Sequence, residues 1–226
     1  MIRSIHNTKQ MTMRKLFLAA AVSSLFAMPA MAQVGSPSDG SSYVGPFGPA
    51  ASGGVERFAQ TFQRAAGMNW LQAFAFNLGD ANPDGSGAGL VFQAAVYAVN
   101  GSQLGSQLFL SGLTNGSGNG SSFDIYSFAT PNIFLDPSID TFALVLQSVS
   151  TQNNGLNVIA SGVTDYTGGA LYTVDDLGAL TAVSGSDDAA FDATLTSSSV
   201  PEPATFVLFA SGLAFVGVIG MRRRQG

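Results

Sequence analysis

The feature that most constrains the fold is a recurrence of short apolar runs between residues 55 and 199, separated by clusters of Gly, Asn, Ser and Asp. These runs have the length of strands, and none shows a convincing helical periodicity. The 23 glycines between residues 33 and 200 suit tight turns. We therefore predict an all-β fold, an antiparallel β-sandwich resembling a jelly roll. The nine candidate strands cover residues 55–62, 70–78, 90–99, 103–110, 123–128, 141–149, 156–160, 170–174 and 191–195.

Two local patterns refine this prediction. Asn-Gly pairs at residues 100–101 and 154–155 are typical of the tight turn in a β-hairpin. Trp70, Phe74 and Phe76 are spaced by even numbers of residues, so they share one face of a strand. We predict that this face lies in the core.

The segment before the sandwich has a different composition. Residues 33–54 are rich in Gly, Pro and Ser and contain few apolar side chains. Such a segment is typical of a flexible linker. We predict a flexible arm here, followed by the β-sandwich domain over residues 55–199.

The first 32 residues have the three parts of an export signal. A basic start at Arg14 and Lys15 precedes an apolar run over residues 16–27, and Ala30 and Ala32 are the small residues that a signal peptidase requires. We predict a leader and signal peptide that is cleaved after Ala32. The alternative is a buried helix or a retained anchor.

The C-terminal segment, residues 200–226, combines a proline-rich entry, an apolar stretch and a basic end. The apolar stretch from Ala204 to Met221 has 18 residues, just enough for a transmembrane helix. The prolines hold the entry extended, and the basic end stays in the cytoplasm by the positive-inside rule. The sequence therefore predicts a single-pass anchor preceded by an extended peptide outside the membrane. The residues that flank the apolar stretch are Pro201, Glu202 and Pro203 at the entry and Arg222, Arg223 and Arg224 at the end.

This order of Pro-Glu-Pro, apolar helix and arginine cluster resembles the PEP-CTERM sorting signal of Gram-negative bacteria, a tail also labelled an ice-binding-protein C-terminal domain without implying ice binding. The resemblance implies that Pro201, Glu202 and Pro203 are recognised by a membrane enzyme, exosortase, and that Arg222 to Arg224 form the stop signal. Carriers of such tails are typically exported to the cell surface or into an exopolysaccharide or biofilm matrix. An ordinary tail anchor with an incidental Pro-Glu-Pro is the alternative.

The residue inventory of the middle segment argues against most enzyme chemistry. The chain has no Cys, and its one His, His6, lies in the leader, so nucleophilic triads and the usual zinc sites lack their residues. The adjacent carboxylates Asp175–Asp176 and Asp187–Asp188 are typical of surface turns rather than of a glycosidase pair. We predict that the protein is not an enzyme.

The charge of the middle segment excludes another class. Only two basic residues, Arg57 and Arg64, lie between residues 33 and 200, against thirteen acidic residues, which leaves a net charge of −11. Phosphate backbones would repel such a domain, so we predict no nucleic-acid binding.

One loop has the spacing of a calcium site. Asp80, Asn82, Asp84 and Ser86 offer oxygen atoms at alternate positions, as in the first half of a calcium loop. The closing glutamate is missing, since Val91 occupies its place. The alternative is an ordinary turn that connects two strands.

Two tyrosines are candidates for sugar stacking. Tyr166 and Tyr172 flank a Thr-Gly-Gly segment and lie outside the strongest core strands. Packing is the alternative role for each. The middle domain also loosely resembles carbohydrate-binding-module and discoidin-type sandwiches.

Two functional hypotheses follow. In the first, the sandwich is a structural or adhesive module of the cell surface or matrix. In the second, it is a carbohydrate-binding module that recognises exopolysaccharide, with calcium shaping a loop.

Overall fold

The alternating apolar pattern forms strands throughout the described part of the chain. The structure, a computed structural model, describes residues 30–80, 90–116, 123–149, 156–162, 166–183 and 188–198. Within these ranges a short 3-10 turn is the only helical element, and the strands pair antiparallel in two sheets, which confirms the all-β prediction. The strands are β1 Met31–Ser36, β2 Ser38–Phe47, β3 Arg57–Gln63, β4 Trp70–Asp80, β5 Val91–Asn100, β6 Gln103–Leu110, β7 Thr114–Asn115, β8 Phe123–Phe134, β9 Thr141–Ser148, β10 Asn157–Gly162, β11 Leu171–Val174, β12 Leu180–Ala182 and β13 Phe191–Thr196.

The first sheet, sheet A, is built around β4. One side of β4 pairs with β8, and the other side pairs first with β13 and then with β10. Strand β1 pairs with β13, and strand β2 pairs with β10, so β1 and β2 lie at the outer edge of sheet A on this side. Sheet B has the order β12-β11-β3-β9-β5-β6, with β7 also paired to β5.

The core lies between the two sheets and is dominated by phenylalanine. Phe92 of sheet B packs edge-on against Phe47 at 5.8 Å and Phe128 at 6.4 Å, both from sheet A. Phe74 stacks on Phe128 at 5.1 Å. Each such ring contributes about 1.5–3 kcal/mol through burial, so these aromatics hold the two sheets together.

The predicted flexible arm is corrected by the structure, because residues 31–47 form β1 and β2. The small residues of this segment allow close packing along the sheet edge. A Cβ atom on Gly35 would collide with the carbonyl oxygen of Phe191, and Ser36 is fully buried. Val34 packs against the core. Here glycine and serine therefore mark a tight strand contact, not a linker.

Trp70 does not join Phe74 and Phe76 in the core, which corrects a second prediction. The register of β4 shifts between Leu71 and Ala73 against both neighbouring strands. Leu71 and Phe74 consequently both face the core, although they are three residues apart. Trp70 precedes Leu71 and so lies on the outer face, where it packs against the half-exposed Phe134 at 5.1 Å.

Sheet B coils so strongly that two diagonally opposite corners meet over its outer face. The Leu104 backbone N–H donates to the Gly178 carbonyl at 2.8 Å, and the Leu180 N–H donates to the Ser102 carbonyl at 2.9 Å. Right-handed strand twist accumulates across a sheet and brings such corners together. The closure covers a second apolar group, the outer cluster, which comprises Ala59, Ala95, Ala143, Val145 and Val174.

Two short connections between the sheets lie at one end of the sandwich. One links β3 to β4 and the other links β8 to β9, and the Leu135 N–H donates to the Asn69 carbonyl at 2.8 Å. Arg64 braces both, because its guanidinium donates to Asn69 Oδ1 at 3.0 Å and to the Pro137 carbonyl at 3.1 Å. Thr196, the last residue of β13, is opposite Trp70 at this same end. We call this end of the sandwich, which contains the two connections and Thr196, the tail-exit end.

Candidate functional site

The chain leaves the sandwich toward its C-terminal tail at the end of β13. Thr196 is opposite Met31 of β1, and its hydroxyl donates to the Ser198 carbonyl at 2.8 Å. The predicted cleavage residue Ala32 is opposite Leu195. The predicted new N-terminus, Gln33, therefore lies opposite Thr194 of β13, the last described strand before the tail.

The predicted sorting residues, Pro201 to Pro203 and Arg222 to Arg224, lie outside the described residues, as does most of the predicted signal peptide. Within the described ranges, no helix is both long enough and apolar enough to cross a membrane.

Tyr166, a candidate for sugar stacking, is a packing residue. Its hydroxyl donates to the Gln63 carbonyl and accepts from the Gln63 N–H, both at 3.3 Å. Its ring meets Phe191 edge-on at 5.4 Å. Desolvation by burial raises the pKa of the phenol. The hydroxyl and the ring of Tyr166 thus both make contacts within the fold, and the residue is half-buried.

A buried polar network lies beside Tyr166. Gln60 of β3 is fully buried, and its Nε2 donates to Asp188 Oδ1 at 2.8 Å. Asp188 Oδ2 accepts from the Tyr166 backbone N–H at 2.5 Å, and the Ala189 N–H donates to Gln60 Oε1 at 2.9 Å. Because Gln60 belongs to sheet B and Asp188 precedes β13 of sheet A, the network ties the sheets together.

This network corrects the prediction of a surface turn at Asp188, which is only 5% exposed. A carboxylate tolerates burial when each oxygen accepts hydrogen bonds that replace those of water. The donors here are the side chain of Gln60 and the backbone of Tyr166, both distant from Asp188 in sequence. Nothing near Asp188 in the chain predicts them.

Tyr172 has a different environment. It lies on β11, opposite Ala59 of β3 and Ala182 of β12, and is half-buried against the outer cluster. Its side chain lines a cleft of about 730 Å³ on the outer face of coiled sheet B. The structure thus separates the two candidate tyrosines and brings only Tyr172 to a concave surface.

The other walls of this cleft are mostly polar. They come from the β5–β6 hairpin, from β6 and from the connection into β9. The hairpin forms at Asn100-Gly101, as predicted, with Gly101 in a left-handed conformation at φ 61°. The lining residues with polar side chains are Thr61, Asn100, Ser102, Ser106, Ser138, Asp140, Thr141 and Tyr172.

A short turn fixes the wall that contains Ser138 and Asp140. Asp136 Oδ1 accepts hydrogen bonds from the Ser138 N–H at 2.8 Å and the Ser138 hydroxyl at 2.7 Å. These two bonds, and then the charge of Arg64, lower the pKa of Asp136. Because the carboxylate stays ionised in mildly acidic solution, the turn keeps its shape there.

The cleft has the composition of a binding site for a neutral polar ligand. A tyrosine ring offers an apolar surface, while hydroxyl, amide and carboxylate groups offer hydrogen bonds. Asp140 is the one carboxylate among the described lining residues, whereas a glycosidase site uses two. The described lining residues therefore offer one aromatic ring and several hydrogen-bonding groups to a ligand.

The candidate calcium loop is described only at its first residue. Asp80 ends β4, is half-buried and is opposite Asn157 of β10. Asn82, Asp84 and Ser86 lie outside the described residues, so calcium binding there stays a prediction. In the part of the chain that is described, no three His, Asp or Glu side chains form a group that could hold a metal ion.

Sequence reasoning missed most of the cleft and the aromatic pair of Trp70 with the exposed Phe134. The Asn-Gly hairpin was an available signal for one wall. The coiling of sheet B has no local signal, since it arises from twist summed over six strands.

Comparison with known families gives one result for this chain. Residues 199–224 match the PEP-CTERM protein-sorting motif, and this range contains both the Pro-Glu-Pro element and the arginine cluster. The comparison with curated proteins finds no match. Such a motif implies export and membrane-associated sorting through an exosortase in Gram-negative bacteria. Residues 199–224 are thus a PEP-CTERM protein-sorting motif, attached here to a β-sandwich.

Proposed function

We propose that this protein is an exported, non-catalytic β-sandwich that is delivered to the cell surface or exopolysaccharide matrix by its C-terminal tail. The observation that carries the proposal is the sorting-motif match over residues 199–224. The fold supports it, because the last strand, β13, ends at Thr196, before the matched residues begin. The absence of His and Cys after the leader supports a structural or adhesive role.

The tail residues have separate roles in this proposal. Pro201, Glu202 and Pro203 form the extended element that exosortase recognises, and signal peptidase removes the leader after Ala32. The apolar stretch holds the precursor in the inner membrane. Arg222 to Arg224 stay in the cytoplasm and prevent complete translocation.

Substitution of Glu202 tests this proposal. In the native host, Glu202→Ala should leave an unprocessed precursor in the membrane fraction, whereas Gln225→Ala, a control outside the motif, should be processed normally. Immunoblots of membrane, surface and matrix fractions measure this distribution. Normal processing and location of Glu202→Ala would mean that the tail is an ordinary anchor.

Carbohydrate binding is a second candidate function, favoured by the cleft that contains Tyr172. The ring of Tyr172 would stack on a sugar, and Ser106, Asp140 and Thr141 would bind its hydroxyl groups. A neutral exopolysaccharide fits the charge of −11 between residues 33 and 200 better than an anionic one.

Affinity electrophoresis tests this second candidate with two variants. Tyr172→Ala should clearly reduce retardation in gels that contain neutral exopolysaccharide. Tyr43→Ala should keep it, because Tyr43 is 62% exposed on sheet A, away from the cleft. If the wild-type protein migrates freely through every neutral polysaccharide gel, the domain is a structural module alone.

A further inference from the structure

The tail-exit end carries an aromatic pair on the outer face of sheet A. Trp70 and Phe134 are opposite each other on β4 and β8, with ring centroids 5.1 Å apart. Phe134 is 49% exposed, although its neighbour Ile133 is buried in the core. Trp70 itself is half-buried. Because the pair lies outside the main core, its position needs another explanation.

The aromatic pair lies close to the point where the chain leaves the sandwich toward the tail. Trp70 is directly opposite Thr196, the last residue of β13. The predicted membrane stretch begins at Ala204, eight residues after Thr196. Eight residues span at most about 28 Å when fully extended. While the tail is inserted, the tail-exit end must therefore lie close to the bilayer surface.

We propose that Trp70 and Phe134 contact the lipid interface while the tail anchors the precursor. Tryptophan is enriched at membrane interfaces, because its ring is apolar and its indole N–H can still donate a hydrogen bond at the headgroup level. The contact orients the precursor with its tail-exit end toward the membrane. Loss of the tail releases the tether and leaves two aromatic rings, too little apolar area to hold the domain on lipid.

The proposal rests on the proposed anchoring role of the tail. It commits to a lipid surface because the short tether keeps Thr196, and with it the tail-exit end, within about 28 Å of the bilayer. A second copy of the chain or a polysaccharide would not depend on that tether, so the test below separates them.

Trp70 is the only tryptophan of the chain, so its fluorescence reports on this end alone. The full chain with its tail is reconstituted into phosphatidylcholine vesicles, with or without bromine on the acyl chains near the headgroup. Brominated lipid should reduce the emission of Trp70, and the emission maximum should shift to shorter wavelength than in the protein released from vesicles by tail proteolysis.

The matched control moves the tryptophan to another part of sheet A. The variant Trp70→Phe/Tyr43→Trp places it on β2, which pairs with β10. Strand β10 pairs with β4 at Leu78–Asp80, at the other end of β4 from Trp70. Its emission should be unchanged by brominated lipid. Equal quenching at both positions would contradict a specific orientation.

The remaining outcomes separate this proposal from the one on which it rests. If the protein does not float with the vesicles, the tail is not an anchor and both proposals fail. If it floats but Trp70 is not quenched, only the lipid contact is wrong. A blue shift that depends on protein concentration, or on added polysaccharide, and not on brominated lipid would assign the pair to a second copy or to a glycan.

Discussion

Tyr166 and Tyr172 lie six residues apart in one glycine-rich segment, yet the fold gives them opposite environments. Tyr166 packs on Phe191 beside the buried network of Gln60 and Asp188. Tyr172 lines the cleft on the outer face of sheet B. The comparison teaches that residue type and composition do not decide whether a tyrosine can bind a ligand. Its place in the sheet decides whether it lines a cleft or packs beside the core.

The largest expected effect comes from breaking the network on the Tyr166 side. Gln60→Leu keeps the volume but leaves the Asp188 carboxylate without its amide donor and the Ala189 N–H without its acceptor. Removing one partner of a buried charge in this way costs about 3–5 kcal/mol of unfolding free energy. Urea unfolding of the purified protein measures this loss.

Gln72→Leu is the matched control, since Gln72 makes only a long 3.4 Å bond to Asn132 and is half-buried. It should cost less than about 1 kcal/mol. Equal losses for the two variants would contradict a structural role for the network.

A smaller effect is expected on the Tyr172 side. Tyr172→Ala should weaken saccharide binding about 2- to 12-fold, because loss of an aromatic contact costs about 0.5–1.5 kcal/mol. Tyr172 packs against the outer cluster and not against the main core, so the urea midpoint should fall less than that of Gln60→Leu. Titration calorimetry and unfolding of the same sample measure both quantities. Unfolding of this variant under native conditions would mean that Tyr172 is a core residue.

The smallest expected effect is on the pH dependence of the unfolding free energy in alkaline solution, where Tyr166 ionises. Burial raises the pKa of its phenol above the ordinary value of 10.0. The stability that the protonated phenol contributes to the folded state is therefore complete below pH 10. It is lost as the pH rises through the pKa of the folded state, because the unfolded chain releases the proton first.

Removing this phenol should make the stability less dependent on alkaline pH. From pH 10 upward, the unfolding free energy of Tyr166→Phe should fall less steeply than that of the wild type. Urea unfolding at a series of pH values measures the two slopes. Parallel slopes would mean that the Tyr166 phenol ionises equally easily in both states.

Short apolar runs and the alternation of apolar and polar residues predicted most of the strands. Residues 103–110 were predicted as one strand, and β6 has these same bounds. The pattern failed at β1 and β2, where Gly35 and Ser36 are needed for close contact with β13 and contribute almost no apolar signal. It also failed at Trp70, because a register shift in β4 reverses the side chain's direction.

The candidate sites were less predictable than the strands. The sorting tail could be identified because its signal is continuous in sequence. The cleft depends on contacts between Ser102 and Leu180, which come from opposite corners of sheet B. The burial of Asp188 likewise depends on Gln60, which lies far away in the chain. Such sites follow from the coiled sheet as a whole, which local patterns do not encode.

The intact mass of the protein recovered from the native cell surface or matrix tests the central claim most directly. The account predicts a mass that lacks the leader through Ala32 and lacks the segment beyond Pro201–Pro203. This result would demonstrate export and tail processing together. A mass that extends through Gly226 would contradict the account, since the tail would then be a permanent anchor and not a processed sorting signal.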